Sequence, residues 1–208
     1  MQIRAHNFRP SDLVGGNVVL DFVNTVTARN AEPGDWLDSY LRVLEWAALT
    51  EEFDPGVLAE LERMRSAAPA DGELALHRLR DLRETIHAVL VAIIRNDTPS
   101  AAPLARFETF WKDAVAKAGL GLSDRHTRLE LDVASCQLDY LTHALALRAF
   151  ELLQTLPLAR ARECAGTNCG WLFIDSSKGG QRRWCDMAVC GNLVKSRRHY
   201  QRKRAARS

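Results

Sequence analysis

Apolar residues recur at helical spacing through most of the chain. The first stripe, in the segment VVLDFVNTV, has members at i, i+3, i+4 and i+7, namely Val19, Phe22, Val23 and Val26. Residues with this spacing share one face of a helix, so we predict a helix over 19–27. A second helix is predicted over 35–49, where the apolar residues are again three or four positions apart.

Helix-start and helix-stop residues delimit the rest of this pattern. Four further helices are predicted: one beginning at Asp54-Pro55, one over 72–96, one opened by Ser100 and closed by Gly119 and Gly121, and one over 135–154. A short strand is predicted at Thr127–Leu131, and Pro157 stops the last helix. The sequence therefore predicts a mainly α fold with two domains: a helical domain with a short β element over 1–158, and a small domain over 159–208.

The pattern of the C-terminal segment is different. Trp171–Ile174 has strand residues, 176–180 supplies a turn, and Cys190-Gly191-Asn192 lies at a predicted helix start. Gly166 and Asn168 let the chain turn tightly between Cys164 and Cys169 as a knuckle. A knuckle followed by a hairpin and a helix is typical of a treble-clef-like module.

Four cysteines of this segment form two matched pairs. Each pair has the spacing C-x4-C, and fifteen residues separate the pairs. The predicted ligand set is Cys164, Cys169, Cys185 and Cys190. Two such pairs make a closed tetrahedral thiolate site, which is the geometry of structural zinc. We therefore predict one structural Zn²⁺ per chain.

Other uses of four cysteines fit less well. Disulfides need an oxidising compartment, and the first residues, MQIRAHNFRPSD, contain no apolar export signal. Iron–sulfur signatures usually cluster their cysteines more tightly, and a catalytic zinc needs an open coordination position. The fifth cysteine, Cys136, is predicted to be a small buried hydrophobic residue.

Charge is distributed unevenly along the chain. From Ala159 onward, 12 Lys and Arg residues stand against 3 Asp and Glu residues, a net charge of +9, whereas the first 158 residues carry −7. Clustered positive charge attracts phosphates, so the C-terminal segment indicates a polyanionic partner. The alternative is a basic tail that is simply solvated.

Motifs at both ends resemble a known family. The segment FIDSSKGGQRRWCDMAVCGNLVKSRRHYQRKR resembles the CGNR zinc finger, in which a Trp-Cys dipeptide, a Cys-Gly-Asn-Arg motif and a basic helix recur. GGNVVLDFVNTV resembles the opening of the ABATE domain that usually precedes this finger. The resemblance implies a stress-induced transcription regulator whose finger binds DNA. Leu193 departs from the motif, which has arginine there.

A helical wheel separates the residues of the terminal segment. Leu193, Tyr200, Arg197 and Arg204 fall on one side. The opposite side carries the predicted DNA contacts Lys195, Arg198, His199, Arg202 and Lys203, to which Arg182 and Arg183 add phosphate contacts from the hairpin end. Arginine suits bidentate contacts to phosphate or guanine, so duplex DNA is the predicted partner. One short finger would need a homodimer for useful specificity.

Two other binding partners stay open. The basic helix could bind RNA, or zinc could merely fold the tail of a protein-interaction module whose basic helix docks on an acidic protein. The salt dependence of binding to duplex DNA, RNA and an acidic protein distinguishes the three.

Polar residues in the helical domain allow two interpretations. Asp21 and Asn24 share a helix face in a very apolar segment, and buried polar groups need hydrogen-bond partners. They form either a structural hydrogen-bond network, which we favour, or part of a pocket for a small-molecule effector. The predicted pocket residues are Asp21, Asn24, Trp36, His87 and Trp111.

The remaining patterns point away from catalysis and membranes. The chain contains no P-loop, nucleophile elbow, HExxH or GxGxxG motif, so we expect a protein that is not an enzyme. Its longest apolar runs are much shorter than the about 20 residues needed to span a bilayer. We therefore expect a cytoplasmic protein that has no contact with membranes.

Overall fold

The computed structural model describes residues 2–3, 6–123 and 126–193, and all structural statements below concern these residues. The helices are α1 Val18–Val23, α2 Tyr40–Thr50, α3 Pro55–Ala67, α4 Pro69–Ile94, α5 Ala101–Lys117, α6 Val133–Cys136 and α7 Tyr140–Thr155. The strands are β1 Gln2–Ile3, β2 Val26–Thr27, β3 Gly34–Asp35, β4 Gly119–Ser123, β5 His126–Glu130, β6 Ala161–Glu163 and β7 Leu172–Ile174. The predicted mainly α fold is confirmed.

The chain forms two compact units, and each unit is built from segments that are not consecutive in the sequence. The split unit combines the residues up to His6 with Ser11–Trp36 and with the chain from Pro157 onward. The helical unit combines Asn7–Pro10 with Leu37–Leu156. The domains predicted along the chain, 1–158 and 159–208, stay a prediction.

Helix α4 is the centre of the helical unit. It packs against α2, α3, α5 and α7, and α5 also packs along α7. The apolar stripe of α4 is fully buried at Leu76, Leu79 and Leu82. Burial of such a stripe is the main source of helix stability in proteins. The predicted long helix over 72–96 is therefore confirmed with small shifts at its ends.

Capping determines where two of these helices begin. The Asp54 side chain accepts the backbone N–H groups of Gly56 at 2.7 Å and Val57 at 3.1 Å, and Pro55 occupies the first helical position. Ser39 caps α2 by accepting the N–H of Arg42. The second helix thus begins at Tyr40 and not at 35 as predicted, since Asp35 lies in β3.

The helical unit also contains an antiparallel hairpin of β4 and β5, in which Leu120 pairs with Leu129. The sequence predicted β5 alone and assigned Gly119 and Gly121 to the end of a helix. Helix α5 does end just before them, but both glycines lie in β4. A Cβ at Gly121 would fall 2.0 Å from the Glu130 side chain, so glycine makes room for that side chain on the paired strand.

The helix predicted over 135–154 is interrupted. Helix α6 ends at Cys136, a 3₁₀ turn covers Gln137–Asp139, and α7 begins at Tyr140. Gln137 has φ 49° and ψ −137°, which is incompatible with a continuous right-handed helix.

The split unit contains two small sheets. In one, β3 lies between β1, to which it is parallel, and β2, to which it is antiparallel. In the other, β6 and β7 form an antiparallel hairpin. The helix predicted over 19–27 ends at Val23, because Val26 leaves the helical path and pairs with Asp35.

None of the helices among the described residues combines the length and the apolar character that a bilayer span requires.

Candidate metal centre

The β6–β7 hairpin carries the first cysteine pair at its tip. The backbone N–H of Cys164 donates to Trp171 O at 2.8 Å, and that of Cys169 donates to Gly166 O at 3.0 Å. The chain therefore turns tightly between the two thiols. A Cβ at Gly166 would lie 3.2–3.4 Å from Cys169 Cβ and from the sulfurs of Cys164 and Cys190, so this turn favours glycine.

The second pair flanks and enters a single π-turn over Met187–Gly191. Asp186 caps this turn by accepting the N–H of Val189 at 2.7 Å. A Cβ at Gly191 would fall 2.6 Å from Met187 Sδ, a flexible and exposed side-chain end that would have to move aside. Cys185 lies just before the turn and Cys190 near its end, which places both sulfurs on the hairpin side.

The four sulfurs form one cluster in which all lie within 4.8 Å of one another. Cys169 Sγ is 3.6 Å from Cys185 Sγ, which in turn is 3.7 Å from Cys190 Sγ. A disulfide needs about 2 Å between sulfurs, whereas Zn–S bonds of about 2.3 Å in a tetrahedron separate sulfurs by roughly 3.8 Å. The donor set and spacing fit Zn²⁺, and the predicted structural zinc ion is confirmed.

The electrostatics of the cluster favour a bound cation. Hydrogen bonds from Cys169 and Cys185 lower the pKa of the Cys164 thiol well below its usual range, and the contact with Cys164 raises the pKa of Cys185. The N–H groups of Cys185 at 3.3 Å and Gly166 at 3.4 Å also favour the Cys164 thiolate. Four thiols this close cannot all ionise together unless a metal ion neutralises them.

The N-terminal segment supports the hairpin through long-range hydrogen bonds. Asn24 Nδ2 donates to Leu172 O at 2.8 Å, and Asn24 Oδ1 accepts the Leu172 N–H at 2.9 Å. Trp171 Nε1 donates to Val26 O at 2.8 Å, and the N–H of Arg29 donates to Cys169 O at 3.1 Å. The zinc-binding hairpin is therefore built with residues about 150 positions earlier in the chain.

Arg182 holds the loop between the two cysteine pairs. Its Nε donates to Trp184 O at 2.9 Å, its terminal NH₂ donates to Cys185 O, and its guanidinium lies 4.5 Å from the centre of the Phe173 ring. Its backbone N–H donates to the buried Asp175 side chain at 2.8 Å. This arginine, predicted to contact DNA, thus orients the chain that presents Cys185.

The other predicted DNA contacts are placed differently. Arg183 is exposed, with its guanidinium 5.5 Å from the centre of the Trp184 ring. The remaining five, Lys195, Arg198, His199, Arg202 and Lys203, lie outside the described residues.

The residues predicted for an effector pocket belong to both units. Asp21, Asn24 and Trp36 belong to the split unit, and His87 and Trp111 to the helical unit. Buried Asp21 accepts the Gly15 N–H at 2.7 Å, and burial raises its pKa to about 6. Trp111 packs against Phe150 with ring centres 4.9 Å apart, and His87 is half-buried. Asp21 and Asn24 are members of a structural hydrogen-bond network; the five-residue pocket stays a prediction.

Comparison with known families gives two matches that together cover most of the chain. A family model described as "CGNR zinc finger" matches residues 160–203. The ABATE family model, described as "Putative stress-induced transcription regulator", matches residues 16–156. Their order along the chain is the one that the sequence motifs indicate. No curated protein matches this chain.

Proposed function

The chain belongs to the ABATE family and carries a CGNR zinc finger, and from these facts we propose that it is a cytoplasmic transcription regulator that binds duplex DNA through the finger. The match to a family described as regulators of transcription carries the proposal. In this role the protein acts by binding and not by catalysis. The net charge of +9 from Ala159 onward supports a partner rich in phosphates.

Zinc gives the finger the rigidity that DNA binding needs. The metal cluster and the Arg182 contacts hold the chain around Cys185 in one conformation. The basic residues from Lys195 to Arg204 begin five positions after the last ligand, Cys190. A positively charged segment attached to a rigid base can bind phosphates at a smaller entropic cost than a free tail can.

Arg183 is the candidate phosphate contact among the described residues. Its side chain is exposed beside Trp184, whereas the neighbouring Arg182 donates its hydrogen bonds to backbone carbonyls of the finger. In Arg183→Ala, the slope of log K for DNA binding against log salt is expected to decrease in magnitude by up to about one. Arg182→Ala is expected to weaken zinc retention first, because it removes contacts inside the finger.

The central experiment is DNA binding measured by fluorescence anisotropy across a salt series. The triple variant Lys195→Ala, Arg198→Ala, Arg202→Ala should lose up to about three units from the slope of log K against log salt. A matched control changes three exposed cations of the helical unit, Arg63, Lys112 and Arg128, to alanine and should keep the parental slope. Zinc content and circular dichroism confirm that both variants are folded.

The same titrations separate the proposed partner from the others. Tighter binding to RNA than to duplex DNA at equal salt would favour an RNA-binding protein. Binding to an acidic protein, together with weak DNA binding whose affinity does not depend on salt concentration, would favour a protein-interaction module. A parent protein without salt-dependent binding to duplex DNA contradicts the proposal.

In a transcription regulator of this kind, the residues before the zinc finger would either bind an effector or form a dimer. A dimer pairs two short fingers on one DNA site and so supplies the specificity that a single finger lacks. Sedimentation equilibrium of the zinc-loaded protein, with and without DNA, measures the oligomeric state.

A further inference from the structure

The split unit contains a half-open cavity of about 540 Å³ beside the metal centre. Its wall is mostly apolar and includes two tryptophans, Trp36 and Trp171, together with Ala188, Val189 and Leu193. Three of the four zinc ligands also line it: Cys169, Cys185 and Cys190. A volume of this size lies within the range of sites for small organic molecules.

Neighbouring side chains fix the aromatic part of the wall. The Trp36 ring stacks on the His6 ring with centres 3.6 Å apart and an angle of 6° between the planes. Trp171 meets Trp36 edge to face at 5.4 Å, and its Nε1 is anchored on Val26 O. A ligand would therefore meet preformed indole surfaces.

The cavity lining carries two carboxylates, and its one basic residue among those described, His6, is paired with Asp12. The described residues that line it include the carboxylates Asp12 and Asp186 and neither lysine nor arginine. Asp12 Oδ2 lies 2.8 Å from His6 Nε2. Four thiolates around Zn²⁺ carry a formal charge of −2, and the electron-rich faces of indole rings also attract cations. Anions are therefore disfavoured in this cavity.

We propose that this cavity binds a small organic cation, a protonated or quaternary amine with apolar substituents. Apolar groups of such a ligand fill the wall formed by the two indoles and the aliphatic side chains, while its charge is stabilised by Asp12, Asp186 and the zinc-thiolate centre. Such a cation would be an effector of the proposed regulator. The titrations that test the site contain no DNA, so their result is independent of whether the finger binds DNA.

Occupancy of the cavity is linked to the finger. The ligand contacts the wall that contains three metal-binding cysteines and Leu193, which lies just before the basic segment. A ligand that binds only the folded, zinc-loaded state stabilises that state by an amount that grows with the logarithm of ligand concentration once the site is mostly filled. Zinc release to a chelator should therefore become slower as the cation concentration rises.

The test compares a cation with a neutral molecule of the same shape. Choline and 3,3-dimethylbutan-1-ol differ in one atom and in charge, and benzyltrimethylammonium serves as a larger cationic probe. The zinc-loaded full chain, labelled with ¹⁵N at the indoles of its five tryptophans, is titrated with each. We expect shifts of the Trp36 and Trp171 indole signals, and an affinity for choline about tenfold or more above that for the alcohol.

Two variants test the assigned contacts. Trp36→Leu should weaken binding of both cations about tenfold, and Asp12→Asn should reduce the preference for choline over the alcohol about threefold or more. Trp111→Leu, which removes a half-buried tryptophan of the helical unit, is the matched control and should leave binding unchanged. Zinc content shows that the split unit of each variant is folded, and far-ultraviolet circular dichroism shows the same for the helical unit.

Three results would overturn the proposal. The first is the absence of Trp36 and Trp171 shifts with either cation up to about 50 mM, far above the range of a useful small-molecule site. The second is equal affinity for choline and its neutral analogue. The third is a preference for the cation that Asp12→Asn leaves intact, together with parental binding by Trp36→Leu.

Discussion

The helical unit and the split unit are stabilised by different kinds of contact. In the helical unit, apolar stripes on long helices bury residues such as Leu79 and Leu145 completely. In the split unit, the elements are short. Apolar residues such as Leu20 and Phe173 are also buried there, but its distant segments are joined in addition by hydrogen bonds such as those of Asn24 and by the four thiols. The fold of the helical unit therefore follows from the local periodicity of apolar residues. The fold of the split unit depends on contacts between residues far apart in the sequence.

This difference predicts how each unit responds to damage. Loss of an apolar contact should lower the stability of the helical unit by an amount that depends on the cavity left behind. Loss of a zinc ligand should abolish folding of the split unit, because its metal-binding free energy is folding free energy.

The largest effect is expected for Cys185→Ser. Structural zinc sites contribute about 10 kcal/mol or more at neutral pH, so the variant should lose its zinc and the fold of the split unit, while the helices of the helical unit persist. Elemental analysis and far-ultraviolet circular dichroism measure both. Cys136→Ser, a cysteine change in the helical unit, should retain one zinc per chain. Full zinc content in Cys185→Ser would contradict the four-thiolate assignment.

Leu79→Ala should show the opposite pattern. Removal of this buried side chain from α4 should lower the free energy of unfolding of the helical unit by about 2–5 kcal/mol and leave the zinc content unchanged. Urea unfolding followed at 222 nm measures the change. Leu104→Ala on α5, where the side chain is exposed, should change the same free energy by no more than about 0.5 kcal/mol. Comparable effects of the two variants would mean that the α4 stripe is not the core.

Asn24→Leu tests the polar links of the split unit. The variant leaves the N–H and C=O of Leu172 unpaired in a buried position, at a cost of about 2–4 kcal/mol. Zinc transfer to a chelator should become faster, whereas urea unfolding of the helical unit should be unaffected. Asn17→Ser, which retains a good N-cap on α1, serves as the control. Unchanged zinc transfer would show that the hairpin does not need this support.

The smallest effect concerns Asp21 and pH. Its pKa is raised from 3.8 to about 6 by burial, so the folded state holds a proton that the unfolded state releases at lower pH. The contribution of the protonated Asp21 carboxyl to the free energy of unfolding is fully present below about pH 4. It is lost as the pH rises through about 6. Asp21→Asn should therefore gain more stability over the parent at pH 7 than at pH 5, by about 1 kcal/mol. A stability difference that does not change with pH would show that Asp21 is already ionised in the folded protein.

Sequence patterns were sufficient where contacts are local. The stripe over 72–96 predicted α4, Asp54-Pro55 marked the start of α3, and the spacing of the four cysteines identified the metal site. The two helix signals depend on residues close together in the sequence. The cysteine signal is specific because paired cysteines have few functions in proteins. The structure was needed for the exact ends of the helices, for strand β4 and for the interruption between α6 and α7.

Long-range pairing explains what the sequence did not predict. Asn24 was recognised as a polar residue in need of partners, but its partner is 148 residues away and is a backbone group, which has no side-chain signature. Strands β2 and β3 have two residues each, too few for an alternating pattern. Arg182 resembles any other arginine of a basic segment until its carbonyl partners are known.

The separation of the two parts of the split unit has a consequence during protein synthesis. Asn24 leaves the ribosome 148 residues before Leu172, the residue that satisfies its amide. At about 5–20 residues per second, the N-terminal segment waits roughly 7–30 s for the hairpin that completes its fold. The whole helical unit is translated during that interval, so we expect it to fold first. A ribosome that stalls before Leu172 leaves a chain whose first 36 residues lack both the zinc finger and the β6–β7 hairpin that Asn24 binds, which makes that chain a substrate for proteolysis.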